Sequence, residues 1–165
     1  MAAKTLRYAA KALIIEAGRV LCLRKQGDIG GYYVLPGGGQ DAGELLPDTL
    51  RRECREELGA DVEVGPLRFV QEYVGSNHLF KDAHGKMHFV NLYFACRLAE
   101  PVLTHPLSPD AGQVGLEWLA VESLDQAAFF PRVLAGRLGA MPDWGRGPSA
   151  GAEMDVAPIY LGDSV

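Results

Sequence analysis

The chain has 165 residues, of which 48% are hydrophobic and 22% charged, and its formal net charge is −5. This length is typical of one domain, and this composition is that of a globular protein rather than a disordered or fibrous one. The acidic balance argues against a broad nucleic-acid-binding surface. No segment approaches the roughly 18 apolar residues that a membrane-spanning helix needs. We therefore expect a single cytoplasmic domain over residues 1–165, with no membrane contact.

The cysteines give a second constraint. Cys22, Cys54 and Cys96 are odd in number, widely spaced and placed at positions of the apolar pattern. No pair of them forms a CxxC motif, which disulfide-exchange and zinc sites commonly use. We predict buried free thiols in a reducing compartment rather than a disulfide or a zinc ligand set.

Hydrophobic periodicity and turn residues predict the order of the elements along the chain. We expect strands at residues 7–16, 19–25, 32–36, 62–75, 87–98 and 115–121, a helix from Pro47 to Gly59, and a helix or a helix pair broken at Pro131 over 122–138. The remaining segments are predicted as loops at residues 26–31, 37–46, 76–86 and 99–113. Residues 139–165 form a tail rich in glycine and proline, in which the apolar cluster 158–162 leaves both docking and disorder open.

The predicted helix has clear ends and one apolar stripe. Pro47 suits the first turn of a helix, and Gly59 is a natural stop. Leu50, Cys54 and Leu58 recur at i, i+4 and i+8, so they line one narrow apolar edge. This edge is expected to pack against the sheet.

Acidic residues occupy the helix face beside that stripe. Glu53, Glu56 and Glu57 stand at i, i+3 and i+4, so their carboxylates project from one face. Arg51 and Arg55 point to the far side at about 100° per residue. A cluster of like charges is costly unless a cation sits beside it, whereas most acidic helix faces are simply solvated.

These residues belong to a longer pattern that resembles the signature box of the Nudix hydrolases, over Gly38 to Ala60. Its fixed positions are filled by Gly38, Glu44, Arg52, Glu53, Glu56, Glu57 and Gly59, and two apolar positions by the small residues Cys54 and Ala60. The resemblance implies an α/β (α+β) fold, a Nudix-like α/β/α sandwich with a mixed β-sheet between helices. A solvated acidic face would require neither a glycine loop before the helix nor an additional acid at a fixed spacing.

The resemblance also implies a metal site. Glu53, Glu56 and Glu57 are expected to bind Mg²⁺, with Mn²⁺ as the alternative ion, and a carbonyl of Gly37 or Gly38 to complete the ligands. Hard divalent cations prefer such oxygen ligands, and Mg²⁺ commonly keeps waters that substrate phosphates replace.

The remaining catalytic roles follow from the same resemblance. Arg52 and Glu44 are expected to orient the acids through an ion pair. Glu53 is the first candidate for the general base, with Glu56 and Glu57 as alternatives.

Substrate contacts are predicted outside the box. Arg24 and Lys25 end the second strand where relatives contact phosphates, although cations on an edge strand also keep a sheet soluble. Asp110 lies where some relatives place another acidic ligand, and a solvated loop aspartate is the alternative. The histidines and lysines of the loop 76–86 are further candidates, against the alternative of a polar hairpin tip.

Taken together, the resemblance implies a Mg²⁺-dependent hydrolase of a pyrophosphate bond in a nucleoside diphosphate derivative. ADP-ribose, another nucleotide sugar and a (d)NTP are the candidate small-molecule substrates. Two alternatives come from other classes: a nucleotide-sensing module without turnover, and an RNA 5′-end pyrophosphohydrolase, which would require a basic track. Homodimers are common in this family, and the sequence shows no interface.

Overall fold

The computed structural model describes residues 5–78, 81–100, 106–139 and 157–164. The strands are β1 (Thr5–Glu16), β2 (Arg19–Gly27), β3 (Gly30–Val34), β4 (Gly37–Gly39), β5 (Val62–Val74), β6 (Met87–Leu98), β7 (Gln113–Ala120), β8 (Phe129–Phe130) and β9 (Ile159–Asp163). The helices are α1 (Leu46–Leu58), α2 (Lys81–His84) and α3 (Arg132–Gly139), with 3-10 turns at Gly75–Asn77 and Val121–Gln126.

The strands form one mixed sheet in the order β8-β3-β2-β1-β6-β5-β9, with β4 paired to β1 and β7 to β2. β1 and β6 run parallel, whereas β1 and β2 are antiparallel and pair at Ile15–Val20 and Glu16–Arg19. Closer to its N-terminus β1 pairs instead with β4, while β2 pairs with β3 and β7. Away from the β1–β2 turn, the part of the sheet that contains β1 and β6 therefore separates from the part that contains β2, β3 and β7. The glycine strand β4 lies where the two parts separate.

Helices cover both faces of the sheet. On β1, alternation places Ala12 and Ile14 in the core beneath α1, and Leu13 and Ile15 in the core beneath α3. The α1 core also contains Leu50, Cys54 and Leu58, and the α3 core contains Phe129, Leu134 and Leu138. This arrangement confirms the predicted α/β/α sandwich with a mixed sheet. All three cysteines are free and buried, as predicted.

Several segments differ from the sequence prediction. The short helix α2 lies within the predicted loop 76–86, and Val121–Gln126 form a 3-10 turn where a helix was predicted. Gly37–Gly39 form a short strand on β1 rather than the start of a loop. Phe129 and Phe130, predicted as helical, form β8 and pair in parallel with Tyr33 and Val34 of β3. Such a two-residue strand depends on a partner about a hundred positions away, which local periodicity does not contain.

The end of the chain is also ordered by a distant partner. β9 pairs in parallel with β5, so the apolar cluster near residue 160 docks on the sheet. The rest of the predicted tail, residues 140–156, lies outside the described residues. Among the helices that are described, none is long and apolar enough to cross a membrane.

Candidate active site

The helix that carries the acids is anchored along one edge, as its sequence predicts. Leu50, Cys54 and Leu58 are fully buried beneath it. Gly59 ends the helix in the left-handed conformation, with φ at 63°, and its N–H bonds to the Arg55 carbonyl at 3.1 Å. Arg55 also forms an ion pair with Asp61 on the exposed side. One face of α1 is thereby fixed against the sheet, and the acids lie beside that face.

The glycine strand lies so close to β1 on one side and to this helix on the other that side chains are excluded. Gly37 has a φ of 118°, and a Cβ there would lie 2.1 Å from the Ala10 carbonyl oxygen. A Cβ on Gly38 would lie 2.6 Å from the carboxylate carbon of Glu53. The absence of side chains on these two residues therefore lets the main chain lie directly against the acids.

Arg52 is the hub of the polar contacts at the start of the helix. Its Nε donates to Glu44 Oε1 at 2.7 Å and its Nη1 to Glu53 Oε1 at 2.8 Å, while Nη2 donates to the Gly39 carbonyl at 3.0 Å. The hydroxyl of Thr49 donates a further bond to Glu44 at 2.8 Å. Hydrogen bonds from Arg52 first, and then from the Asp41 N–H and Thr49, lower the pKa of Glu44 to about 2. The predicted Arg52–Glu44 ion pair is present, and it also holds Glu53.

Glu57 is the buried acid of the three. Glu57 is only 2% exposed, and its Oε2 accepts a hydrogen bond of 2.7 Å from the Gly37 N–H. Burial raises the pKa of Glu57 to about 7, and the charges of Glu53 and Asp110 act in the same direction. The Lys11 ammonium and the Gly37 N–H oppose this rise. Glu57 is thus held in a protein environment that disfavours its charge unless a cation is near.

Glu53, Glu56 and Glu57 differ in how exposed their side chains are. The side chain of Glu53 is 14% exposed and that of Glu56 is 40% exposed, with its carboxylate 3.7 Å from Arg52 Nη1. Within the described part of the chain, no three acidic, histidine or cysteine side chains converge into a complete metal site. A cation here would need main-chain and water or phosphate oxygens in addition to the carboxylates.

The available donors nevertheless fit a hard divalent cation. Glu53 and Glu57 each use one carboxylate oxygen in the bonds above, and the second oxygen of each accepts no hydrogen bond from the described residues. The main chain of the glycine strand lies against the same acids, because the Gly37 N–H donates to Glu57 and a Cβ on Gly38 would meet Glu53. Carboxylate and carbonyl oxygens with room for water are the ligands that Mg²⁺ takes.

Lys11 is a further charged group of this site, and the sequence analysis missed it. Its Nζ donates to the Gly37 carbonyl at 2.5 Å, and its charge acts on Glu57. The available signal was a lysine in the middle of an otherwise apolar strand, at AAKALII. A charge at such a position usually has a specific partner.

The structure brings two of the predicted substrate residues together. Lys25 and Asp110 form an ion pair, with Lys25 more buried than Asp110. The loop that carries Asp110 is tied to the end of α1, because Gln113 Nε2 donates to the Glu57 carbonyl at 2.9 Å. Lys25 and Asp110 therefore lie beside the acids.

Arg24 occupies a different environment from its neighbour Lys25. Its guanidinium lies over Gly115, where a Cβ would be 3.3 Å from Nη2. The adjacent Tyr33 hydroxyl donates to Glu117 Oε2 at 3.0 Å. Burial and then Glu117 raise the pKa of Tyr33, whereas Arg24 acts in the opposite direction. Cys22, a residue of the α3 core, also contributes to the pKa shift of Tyr33. Arg24, Tyr33 and Glu117 therefore lie on the α3 side of the sheet.

The loop between β5 and β6 is held by a network of aromatic and polar contacts. The rings of Tyr73 and His78 stack with their centroids 5.0 Å apart, and the Tyr73 hydroxyl lies 3.0 Å from His84 Nδ1. His78 Nε2 lies 2.5 Å from Asp163 Oδ1 on β9. Burial first, and then the charge of Lys25, lower the pKa of His84. The described residues of this loop are therefore held by mutual contacts, and the charge of Lys25 acts on His84.

Comparison with known proteins assigns the class of this fold and site. A family model described as the NUDIX domain matches residues 5–136. The chain belongs to the Nudix hydrolase family. The aligned segment therefore includes the glycine strand, α1 and the loop with Asp110.

Individual relatives cover different shares of the chain. A segment of 59 residues, 34% of this chain, is 37% identical to the nucleoside triphosphatase NudI of Enterobacter sp. (strain 638), and spans only 42% of that relative's length. The MutT NUDIX hydrolase of Burkholderia pseudomallei is 27% identical with a TM-score of 0.64, over 81% of this chain and 98% of the other. An ADP-ribose pyrophosphatase of Streptococcus suis shares the fold, with a TM-score of 0.60 and 18% identity over 95% of this chain and all of its own.

Proposed function

We propose that this protein is a Mg²⁺-dependent hydrolase of a pyrophosphate bond in a nucleoside diphosphate derivative, with Mn²⁺ as an alternative ion. The observation that carries the proposal is the contact of a side-chain-free glycine strand with two helix acids, each of which keeps a carboxylate oxygen without a hydrogen bond from the described residues. A (d)NTP is our first substrate candidate, because a nucleoside triphosphatase is 37% identical over its matched segment and a MutT NUDIX hydrolase is 27% identical. A nucleotide sugar such as ADP-ribose is the second.

In this proposal Glu53, Glu56, Glu57 and the Gly38 carbonyl hold the ion, with the Gly37 carbonyl as the alternative main-chain ligand. A divalent cation at these oxygens would neutralise phosphate charge and lower the pKa of a bound water. The chain itself supplies the proton acceptor and the orientation of the acids. Three different exposures on one helix face support distinct roles for the three carboxylates.

Proton transfer and orientation are assigned to the residues around Arg52. Glu53 accepts the proton of the attacking water, and Arg52 with Glu44 fixes the Glu53 carboxylate. Glu57 is the alternative base, since burial brings its pKa to about 7, close to the pH at which general bases work best.

Substrate contacts are proposed for Lys25, Asp110 and Arg24. The Lys25–Asp110 pair lies beside the acids and has the stronger structural support for contact with the phosphates. Arg24, on the α3 side with Tyr33 and Glu117, is proposed to contact a more distant part of the nucleotide. All described strands share one sheet, which supports the proposal of a single domain over residues 1–165. The cytoplasmic location stays a prediction.

The decisive experiment measures phosphate-containing products from a panel of (d)NTPs and nucleotide sugars, with Mg²⁺ and with EDTA. Glu53→Gln should lower kcat by a factor of about 10² to 10⁴, which is the usual contribution of a general base. Asp48→Asn is the matched control, because Asp48 lies on the same helix but pairs with Arg51 at the exposed surface. Its activity should equal that of the wild type.

Other outcomes would contradict the proposal in different ways. If no substrate is consumed and Glu53→Gln changes nothing, the hydrolase assignment fails. Tight binding of a nucleotide without its consumption would favour the sensing module. Salt-dependent retention and processing of 5′-triphosphate RNA would favour the RNA 5′-end pyrophosphohydrolase.

A further inference from the structure

Lys11 is a cation placed inside the carboxylate site by the sheet itself. It lies on β1 between Ala10 and Ala12, which are both fully buried, and it is paired directly with Gly37 in the β1–β4 ladder. At this point β1 has left β2 and pairs with the glycine strand. The lysine therefore lies where the two halves of the sheet separate, on the strand that supports the proposed ligands.

Gly37 connects this lysine with Glu57. The Lys11 ammonium donates to the Gly37 carbonyl at 2.5 Å, and the Gly37 N–H donates to Glu57 at 2.7 Å. Gly37 is packed closely against β1, because a Cβ there would also lie 3.0 Å from the Lys11 Cα. One residue thus holds a cation on its carbonyl and an anion on its N–H.

This position has a direct consequence for cation binding. A carbonyl oxygen has two lone pairs, and the ammonium takes one of them at Gly37, which is the alternative main-chain ligand of the proposed ion. The ammonium charge also lies among the acids and repels an incoming cation. At an effective dielectric constant near 20, a unit charge a few ångströms away changes a binding constant by about tenfold or more.

We propose that Lys11 is a built-in counter-cation of the carboxylate site: it occupies the Gly37 carbonyl in the metal-free protein, weakens divalent-cation binding, and leaves the carbonyl when the ion binds. Lys11 is a positioning residue in this role, since it acts through Gly37 and the acids rather than on the reacting atoms. The inference rests on the proposed function, because it takes the acids to be ligands of a divalent cation, with the Gly37 carbonyl rather than that of Gly38 as the main-chain ligand. It adds a residue outside the signature box to the determinants of metal affinity.

Binding of Mn²⁺ to the metal-free full-length chain tests this role without any measurement of activity. The free Mn²⁺ signal in electron paramagnetic resonance gives the Kd for wild type, Lys11→Met, Lys11→Arg and Arg137→Met. Lys11→Met should bind Mn²⁺ about tenfold more tightly or better, and Lys11→Arg, which keeps the charge, should resemble the wild type. Arg137→Met removes the same charge from an exposed position on α3 and should also resemble the wild type. Unchanged or weaker binding by a folded Lys11→Met would overturn the proposal.

A second measurement uses the wild type, so it does not depend on the folding of a variant. Lysine side-chain Nζ resonances are recorded in NMR spectra during a Mg²⁺ titration, and Lys11→Arg assigns the Lys11 signal. A shift of the Lys11 signal that saturates together with ion binding supports release of the carbonyl, and an unshifted signal at saturating Mg²⁺ overturns it. If neither wild type nor Lys11→Met binds Mn²⁺, the metal-dependent function fails as well. If both bind equally and the protein hydrolyses nucleotides, only the role of Lys11 fails.

Discussion

Replacing Glu57 by Gln should make the metal-free protein more stable at neutral and mildly alkaline pH. Glu57 is 2% exposed, and its pKa in the folded protein is about 7, against an ordinary value of 4.5. Between these two pH values the unfolded chain loses the proton while the folded chain keeps it. Because the folded state then binds more protons, the free energy of unfolding of the wild type falls as pH rises through this window.

The size of the effect follows from the two pKa values. One pKa unit corresponds to about 1.4 kcal/mol, so the complete loss is on the order of 3 kcal/mol, reached above a pH of about 7. In Glu57→Gln the amide oxygen still accepts the Gly37 N–H, whereas the titration is gone. The free energy of unfolding of the variant should therefore not show this decrease as pH rises.

Urea denaturation of EDTA-treated protein at intervals from about pH 5 to pH 8 measures the difference between the two proteins at each pH. Taking the difference cancels the contribution of groups that titrate equally in both proteins. The stability of Glu57→Gln relative to wild type should rise by on the order of 3 kcal/mol across the range. A difference that stays constant with pH, or that falls, would refute the reasoning.

Three other substitutions probe packing and geometry. Gly38→Ala places a methyl group 2.6 Å from the Glu53 carboxylate, so Mn²⁺ affinity and turnover should both fall while circular dichroism stays native, and undiminished Mn²⁺ affinity would contradict this. Gly37→Ala combines a φ of 118° with a 2.1 Å contact to the Ala10 carbonyl, and should lower the free energy of urea unfolding by about 2 kcal/mol or more. Phe129→Ala empties a fully buried position and should cost about 3 to 5 kcal/mol in the same assay, so a loss below about 1 kcal/mol would disprove its core role.

The sequence by itself determined the helix and its signature. The stripe of Leu50, Cys54 and Leu58 and the stop at Gly59 appear in the structure as predicted. This was possible because helical geometry is local: residues three and four apart share a face whatever the rest of the chain does. The same local logic placed Arg55 on the exposed side.

Only the tertiary structure decided how each acid and cation is used. Glu56 and Glu57 are adjacent in sequence, yet Glu57 is buried against Gly37 while the side chain of Glu56 is 40% exposed. Lys25 pairs with Asp110 beside the acids, whereas Arg24 lies on the α3 side. Burial and pairing depend on which distant segments meet, and these meetings are set by strand register rather than by local periodicity.

The same distinction explains what the sequence missed. Lys11 looked like an interruption of an apolar strand, and β8 and β9 looked like helix and tail. Each gains its role from a partner far along the chain: Gly37 for Lys11, β3 for β8 and β5 for β9. A local pattern reflects only the neighbours of a residue along the chain. The free energy of a buried charge or of a two-residue strand depends instead on its neighbours in the folded structure.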